Sequence, residues 1–306
     1  MKIIRNILCH PRFPHPVVTI GNFDGVHIGH QAIMQRVVSE AQARQGTALV
    51  MTFHPHPLTV LRPNSPPAQI LSLREKLLRF ASLGIQGVFL QRFTLLFSRL
   101  TPEEFVQHYL VDAIGAERIV VGHDVSFGRD RTGRAETLER LGRVLGFVVE
   151  TVGPVTVHGR EVSSTVVRTL LSAGDMRAVA QLLGRPYAVS GRVERGFQRG
   201  QDLGFPTANL RPRVDVLLPN GVYAVIADVG AQELPGVANV GVNPTFGGNK
   251  RMIEAHLFDF SADLYGQRLR VRFVERLRGE QKFSSVQELV RQIRADADRA
   301  RMLLSQ

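Results

Sequence analysis

Between residues 17 and 184, short apolar runs alternate with helical stretches, and that alternation leaves few folds open. Residues 17–20 (Val-Val-Thr-Ile) read as a buried strand that ends at Gly21. A helical pattern follows over about 29–45, with Ile33, Val37, Val38 and Ala41 on one face. Another apolar β-run spans 48–53. Ser72-Leu73-Arg74-Glu75 has the form of a capping box, opening a helix that stops at Gly84. Residues 88–90 form a short strand. Thr101-Pro102-Glu103-Glu104 is a second capping box with Pro at the first helical position, and its helix ends near Gly115. Then come a strand over 118–122, a helix over 136–145 and a strand over 147–152. A last helix starts at Asp175 and closes at Gly184. Strands alternating with helices imply a parallel sheet wrapped by helices, and such sheets bind ligands beyond the carboxyl ends of their strands. Gly21-Asn22-Phe23-Asp24 and Gly122-His123-Asp124 sit at such ends.

The texture changes near residue 185. From Val189 onward short β-runs, such as 222–229, 252–260 and 269–274, are separated by Gly, Pro and Asn. That is the pattern of a small antiparallel barrel or sandwich. A final helix over about 285–304 carries Val286, Leu289, Val290, Ile293, Ala297 and Ala300 at helical spacing, suited to packing on the barrel. The boundary falls at Arg185-Pro186-Tyr187, giving domains 1–184 and 185–306.

Composition narrows the class. Length 306, 44% hydrophobic and 21% charged residues describe a globular chain with room for two cores. No apolar run has membrane-spanning length, and the first ten residues lack the core and cleavage site of a signal peptide. Cys9 is the single cysteine, so an intramolecular disulfide and a thiolate metal cluster are excluded and a reducing cytoplasm is expected. A net charge of +11 suggests nucleic acid, but it is spread evenly: +6 over 1–184 and +5 over 185–306. The cations are 34 Arg and 4 Lys, a bias that genome composition can produce. The expectation is a surface that welcomes anionic nucleotides, with no nucleic-acid or membrane partner.

His27-Ile28-Gly29-His30 lies where the first strand turns into its helix. A helix N-terminus presents free N–H groups and positive dipole to phosphate, and Gly29 allows close approach. Two imidazoles three residues apart can donate to one phosphoryl group, which is what nucleotidyl transfer requires as charge builds on the α-phosphate. The pair could otherwise be a cap and a surface residue, or two zinc ligands, although no third ligand is obvious. Ser163-Ser164-Thr165-Val166-Val167-Arg168 starts another helix, suited to a phosphate tail and equally to an ordinary cap with a solvent Arg.

Gly204-Phe205-Pro206-Thr207-Ala208-Asn209 follows the basic, Gly-rich stretch Arg195-Gly196-Phe197-Gln198-Arg199-Gly200. It is a loop able to turn backbone N–H groups on an anion, without the Gly-Lys-Ser/Thr ending of a P-loop. Thr207 and Asn209 offer neutral oxygens acceptable to Mg²⁺ when phosphates supply the charge. Glu254 lies in the alternating run Met252-Ile253-Glu254-Ala255-His256-Leu257-Phe258, on the same side as His256. A mid-strand carboxylate can face solvent or line a pocket and take a proton from a hydroxyl, and the pattern does not choose.

These motifs together resemble the bacterial bifunctional riboflavin kinase/FAD synthetase family. The likeness runs in order through residues 21–30, Thr52-Phe53-His54-Pro55-His56-Pro57, Ser163 to Arg168, Leu183-Gly184-Arg185-Pro186-Tyr187, Phe205-Pro206-Thr207-Ala208-Asn209, Gly221-Val222-Tyr223, the Asn239 to Phe246 run and Glu254 to Phe260. The resemblance implies a Rossmann-like HxGH nucleotidyltransferase domain that makes FAD from FMN, ATP and Mg²⁺. It also implies a six-stranded riboflavin-kinase β-barrel with a terminal helix that makes FMN from riboflavin. It implies that His27 and His30 stabilise the transferring phosphate, and that Gly21, Asn22, Phe23, Asp24, Gly29 and Asp124 belong to the nucleotide and flavin-phosphate site. Ser163, Ser164, Thr165 and Arg168 would hold ATP phosphates. In the barrel Glu254 would be the base, Thr207 and Asn209 the Mg²⁺–ATP ligands, and Arg199, Gly204, Phe205 and Pro206 part of the nucleotide and flavin site. Two departures stand out. Gln201 replaces a basic residue, which Arg199 could supply, and Val125 after Asp124 replaces an aromatic. Other HxGH transferases lack the barrel motifs, and a tRNA synthetase would carry a Lys-Met-Ser-Lys-Ser-like segment that does not occur here.

Overall fold

A computed structural model describes residues 1–5, 12–195, 203–242 and 251–305. Cys9, Arg199, Gln201 and residues 243–246 lie outside the described residues. By backbone contacts the chain divides into two units. One is Met1–Pro67 with Leu71–Ser163, and the other is Ala68–Ile70 with Ser164–Gln306.

The first unit is built on six parallel strands: β1 (Lys2–Ile4), β2 (Pro16–Ile20), β3 (Thr47–His54), β4 (Gly87–Arg92), β5 (Arg118–Gly122) and β6 (Val148–Val152), in the order β1-β4-β3-β2-β5-β6. Every residue of β2 is buried, as a continuous apolar strand in the middle of a covered parallel sheet should be. The chain passes from β2 to one side through β3 and to the other through β5, so the carboxyl end of β2 is the switch point where ligands bind. Helices α1 (Ile28–Ala43), α2 (Pro57–Leu61), α3 (Leu73–Ser82), α4 (Pro102–Phe105) and α5 (Ala135–Leu145) connect the strands. Both expected capping boxes form, Ser72 with Glu75 and Thr101 with Glu104.

The helix begun at Thr101 is not one regular α-helix. Past Phe105 it widens into a π-helix over Val106–Ala113, and the Ile114 N–H reaches the Tyr109 carbonyl at 3.1 Å. Val106, Leu110 and Ile114 are fully buried at every fourth position, a spacing that a wider turn keeps on one line. They join Val18, Ile20, Leu49, Met51, Phe89 and Val121 in the core.

The second unit contains α6 (Ser164–Ala173), α7 (Met176–Leu183) and a closed antiparallel barrel. After the small hairpin β7 (Thr156–Val157) and β8 (Arg160–Glu161) of the first unit, the barrel strands are β9 (Tyr187–Glu194), β10 (Ala208–Pro212), β11 (Gly221–Val229), β12 (Gln232–Val242), β13 (Arg251–Leu257) and β14 (Arg268–Arg278). Their order is β10-β13-β12-β11-β14-β9, closed by pairing of β9 with β10. β13 stops three residues short of the expected end, because Asp259 takes φ +54°. β14 is longer than its apolar stretch suggests and crosses two register shifts against β11.

The terminal helix α8 (Val286–Leu304), capped by Ser285, packs on β11, β12 and β14 through Ala297 and Ala300, which join Ala224, Val237, Phe258 and Leu277. A buried ion pair fixes it. Arg278 on β14 grips both oxygens of Asp296 through Nε (3.1 and 2.9 Å), and Asp296 is 5% exposed. Replacing Asp296 with Ala leaves a largely buried guanidinium unpaired, so barrel stability should fall by about 3 kcal/mol. Urea unfolding followed by circular dichroism would show the midpoint shift.

Candidate functional site

The turn that follows β2 is held in an uncommon backbone conformation. Phe23 and Val26 take φ +49° and +43°, positions that cost non-glycine residues about 1–3 kcal/mol each. Gly21 is required because a Cβ there would lie 2.8 Å from the Phe23 ring. Gly29 is similarly placed, since its Cβ would stand 3.2 Å from His27 Nδ1. The turn delivers His27 to the N-cap of α1, where its Nδ1 accepts the His30 backbone N–H at 3.3 Å. A ring nitrogen that accepts carries no proton, which places the ring N–H of His27 at Nε2.

His27 is 5% exposed and stacks on His30 with ring centroids 3.5 Å apart. Phe23 packs edge-on against the His30 ring at 5.2 Å. Burial first, then His27 and Lys76, hold the His30 imidazole well below the usual histidine range, so it is neutral at physiological pH. His30 Nδ1 and Asn22 Oδ1 are buried with no hydrogen-bond partner among the described residues. Buried polar atoms are nearly always paired, and two orphans on one turn mark groups shaped for a polar ligand.

Asp24 is also buried, and its Oδ1 accepts the Leu71 N–H at 3.3 Å. Asp124 is exposed just beyond β5, whose Gly122 sits against it: a Cβ on Gly122 would meet Asp124 Oδ1 at 3.1 Å. Ser163 follows Val162, whose carbonyl lies 3.7 Å from the Cβ position of Gly29, so the strand-to-helix turn and Ser163 are neighbours. Ser164, Thr165 and Arg168 open α6 in the second unit, where Arg168 Nε donates to the Ala68 carbonyl at 2.9 Å.

In the barrel, strand register explains the second cluster. Glu254 on β13 stands opposite Asn209 on β10 and Asn239 on β12, and Asn209 also stands opposite Glu194 on β9. Directly opposed residues share a face, so Glu194, Asn209, Glu254 and Asn239 form one polar row across four strands. Their chain neighbours Val193, Leu210, Ile253 and Ala238 are buried on the other side. The loop carrying Phe205, Pro206 and Thr207 is docked on the same strand. His256 Nδ1 donates to the Pro206 carbonyl at 2.9 Å, and the Phe205 ring packs edge-on to His256 at 5.5 Å. Gly204 turns that loop at φ +83°. Hard oxygens of two amides and a carboxylate suit a cation already carried by phosphates. Among the described residues no cluster of three or more His, Cys, Asp or Glu could hold a metal by itself.

Three neighbours of the two clusters are missing from the site residues expected from sequence. Lys76 on α3 donates to the Asn22 carbonyl at 3.0 Å and to Thr52 Oγ1 at 3.1 Å. Asn239 and Glu194 join Glu254 only through strand register. Two signals were available: Asn239 opens a run that carries the family likeness, and Lys76 is one of four lysines in a chain with 34 arginines.

Comparison with known proteins agrees with this two-part arrangement. The family model for FAD synthetase matches residues 10–166, and the model for riboflavin kinase matches residues 183–304. The chain is 40% identical over 304 residues to the bifunctional riboflavin kinase/FMN adenylyltransferase of Escherichia coli K12, covering 98% of this chain and 97% of that one. It is 35% identical over 290 residues to the Bacillus subtilis protein of the same name, covering 93% and 91%. A crystal structure from Streptococcus pneumoniae, described as a macrolide-efflux protein, superposes with a TM-score of 0.87 at 33% identity and covers 98% of both chains. Among the described residues here, no helix is long and apolar enough to cross a membrane. With both halves matched in order over nearly its whole length, the chain belongs to the bifunctional riboflavin kinases/FMN adenylyltransferases, which phosphorylate riboflavin to FMN and adenylylate FMN to FAD.

Proposed function

We propose that the two reactions run at the two clusters described, adenylyl transfer at the turn after β2 and phosphorylation at the polar row of the barrel. The observation that carries the first assignment is the pair of orphaned buried atoms, His30 Nδ1 and Asn22 Oδ1, on a strained turn at the switch point. An oxygen of the FMN phosphate attacks the α-phosphorus of ATP, a new P–O bond forms, and the bond to the bridging oxygen breaks as pyrophosphate leaves. Charge grows on the α-phosphoryl oxygens. The stacked imidazoles of His27 and His30 and the N-terminus of α1 face that charge without needing to reorganise. Gly21, Phe23, Asp24 and Gly29 shape the turn, and Asp124, Ser163, Ser164, Thr165 and Arg168 serve the nucleotide.

In the barrel, Glu254 takes the proton from the riboflavin 5′-hydroxyl as that oxygen attacks the γ-phosphorus and ADP departs. Thr207 and Asn209 hold the nucleotide as its Mg²⁺ complex, and Gly204, Phe205, Pro206 and Arg199 complete the phosphate and flavin site. Mg²⁺ carried by the nucleotide, which Thr207 and Asn209 would help hold in the barrel, would offset phosphate charge. The functional boundary lies at Gly184–Arg185, which assigns α6 and α7 to the adenylyltransferase. The start of the riboflavin kinase match at residue 183 supports that division. A single cysteine and small charged substrates fit work in the cytoplasm.

His256 positions the Phe205-Pro206-Thr207 loop, so His256→Ala should raise the ATP KM of phosphorylation about tenfold with a smaller change in kcat. Initial rates over a range of ATP concentrations check this. The assignment as a whole is tested by supplying either riboflavin or FMN with ATP and Mg²⁺ and resolving the flavins formed. Variants of His30 and of Glu254 should each remove one of the two reactions only. A folded variant that loses both activities overturns it.

A further inference from the structure

We propose that Lys76 is a positioning residue for adenylyl transfer, clamping the Asn22 backbone to the end of β3 so that Asn22 and His30 hold their ligand-facing geometry. The inference rests on the assignment of adenylyl transfer to the turn after β2.

Lys76 leaves the first turn of α3 and reaches two elements at once. It donates to the Asn22 carbonyl (3.0 Å) and to Thr52 Oγ1 near the end of β3 (3.1 Å). Thr52 Oγ1 itself approaches the Asn22 carbonyl at 3.4 Å, so the three groups close a triangle. Thr52 is fully buried. Asn22, whose carbonyl Lys76 holds, is the residue whose side-chain oxygen lacks a partner. Fixing its backbone fixes where that oxygen points.

A merely structural lysine would be expected to pair with a carboxylate. Both hydrogen-bond partners of Lys76 are neutral. The groups around it are Asp24 from the turn, His30 from α1 and His54 from the end of β3. Glu75 on its own helix is turned back to Ser72, and Arg5 acts on His54. Burial pushes Lys76 down to about 8 from 10.5, with Asp24 pulling the other way. The unfolded chain therefore binds this proton more tightly between pH 8 and 10.5. Keeping Lys76 charged below pH 8 opposes folding, and the opposition is relieved as pH rises through that window. A cation held at a cost to stability, in a chain that otherwise uses arginine, points to a function.

The experiment uses the full chain and follows FAD formation from FMN, with riboflavin phosphorylation in the same preparation reporting intact protein. Wild type should show kcat/KM for ATP falling above about pH 8, a region where phosphate ionisation is already complete. Lys76→Met should lower that kcat/KM about 10²-fold at pH 7.5, lack the alkaline limb and leave phosphorylation unchanged. Lys76→Arg should recover at least about a tenth of the activity and move the limb beyond the accessible range. Imidazole NMR should show His30 titrating at higher pH in Lys76→Met, because a neighbouring cation is gone.

A flat wild-type profile to pH 9.5 overturns the proposal, as does Lys76→Met retaining adenylylation within about twofold. If His30→Ala abolishes adenylylation while Lys76→Met does not, only this inference fails. If His30→Ala also retains it, the site assignment fails.

Discussion

Replacing His30 with Ala lowers FMN-to-FAD conversion by about 10²–10³-fold, the range expected when one preorganised donor to a developing oxyanion is removed. Riboflavin phosphorylation stays at the wild-type rate. The loss should fall on kcat more than on KM, because His30 meets charge that grows in the transition state. The ring also stacks on His27 at 3.5 Å and meets Phe23 edge-on, so Ala removes packing as well as a donor. His30→Gln, which keeps an N–H donor, separates the two effects and should recover part of the rate. Unfolded histidine binds its proton near pH 6.5, whereas folded His30 resists protonation, chiefly through burial. Stability contributed by this residue is therefore present above pH 6.5 and lost as pH falls below it. Heat denaturation of the wild-type chain should move to lower temperature from pH 7 to pH 5.5, with a smaller shift in His30→Gln.

The parallel sheet from residue 17 onward was legible because short apolar runs alternate with helical stretches, two of them opened by capping signals. Ser72 with Glu75 and Thr101 with Glu104 both cap helices where their spacing places them. The widened helix after Phe105 was not legible, since apolar residues four apart, as Val106, Leu110 and Ile114 are, line one face of an ordinary α-helix equally well. The same distinction governs the sites. His27 and His30 are neighbours in the chain, and helical spacing already predicts that they meet. Lys76 reaches Asn22 across 54 residues, and no local pattern carries that contact. In the barrel, the run from Met252 to Phe258 placed Glu254 and His256 on one face. Only register shows that Asn209, Asn239 and Glu194 share that face with Glu254. β12 carries Pro235, Gly236 and Gly241 within its span, which hides it from propensity. Gly236 is there because a Cβ would stand 2.3 Å from the His256 carbonyl on the adjacent strand.

The other large effect is expected from Glu254→Gln. Gln has nearly the same shape and keeps its place opposite Asn209 and Asn239, but it cannot accept a proton from the riboflavin hydroxyl. Phosphorylation should fall by about 10²–10⁴-fold, the usual contribution of a positioned general base. The fall should be in kcat, with KM for ATP nearly unchanged, since the nucleotide-holding residues are untouched. FAD formation from supplied FMN should proceed normally, while FAD from riboflavin stops for want of FMN. Glu194 supplies the control, because it is the other carboxylate in the row. Its carboxylate is engaged by the Arg211 guanidinium at 3.6 Å, and it is separated from Glu254 by Asn209. Glu194→Gln should leave phosphorylation within about twofold of wild type. If instead Glu194→Gln is the damaging change and Glu254→Gln is mild, the base is on β9 and the assignment moves one strand pair along the row.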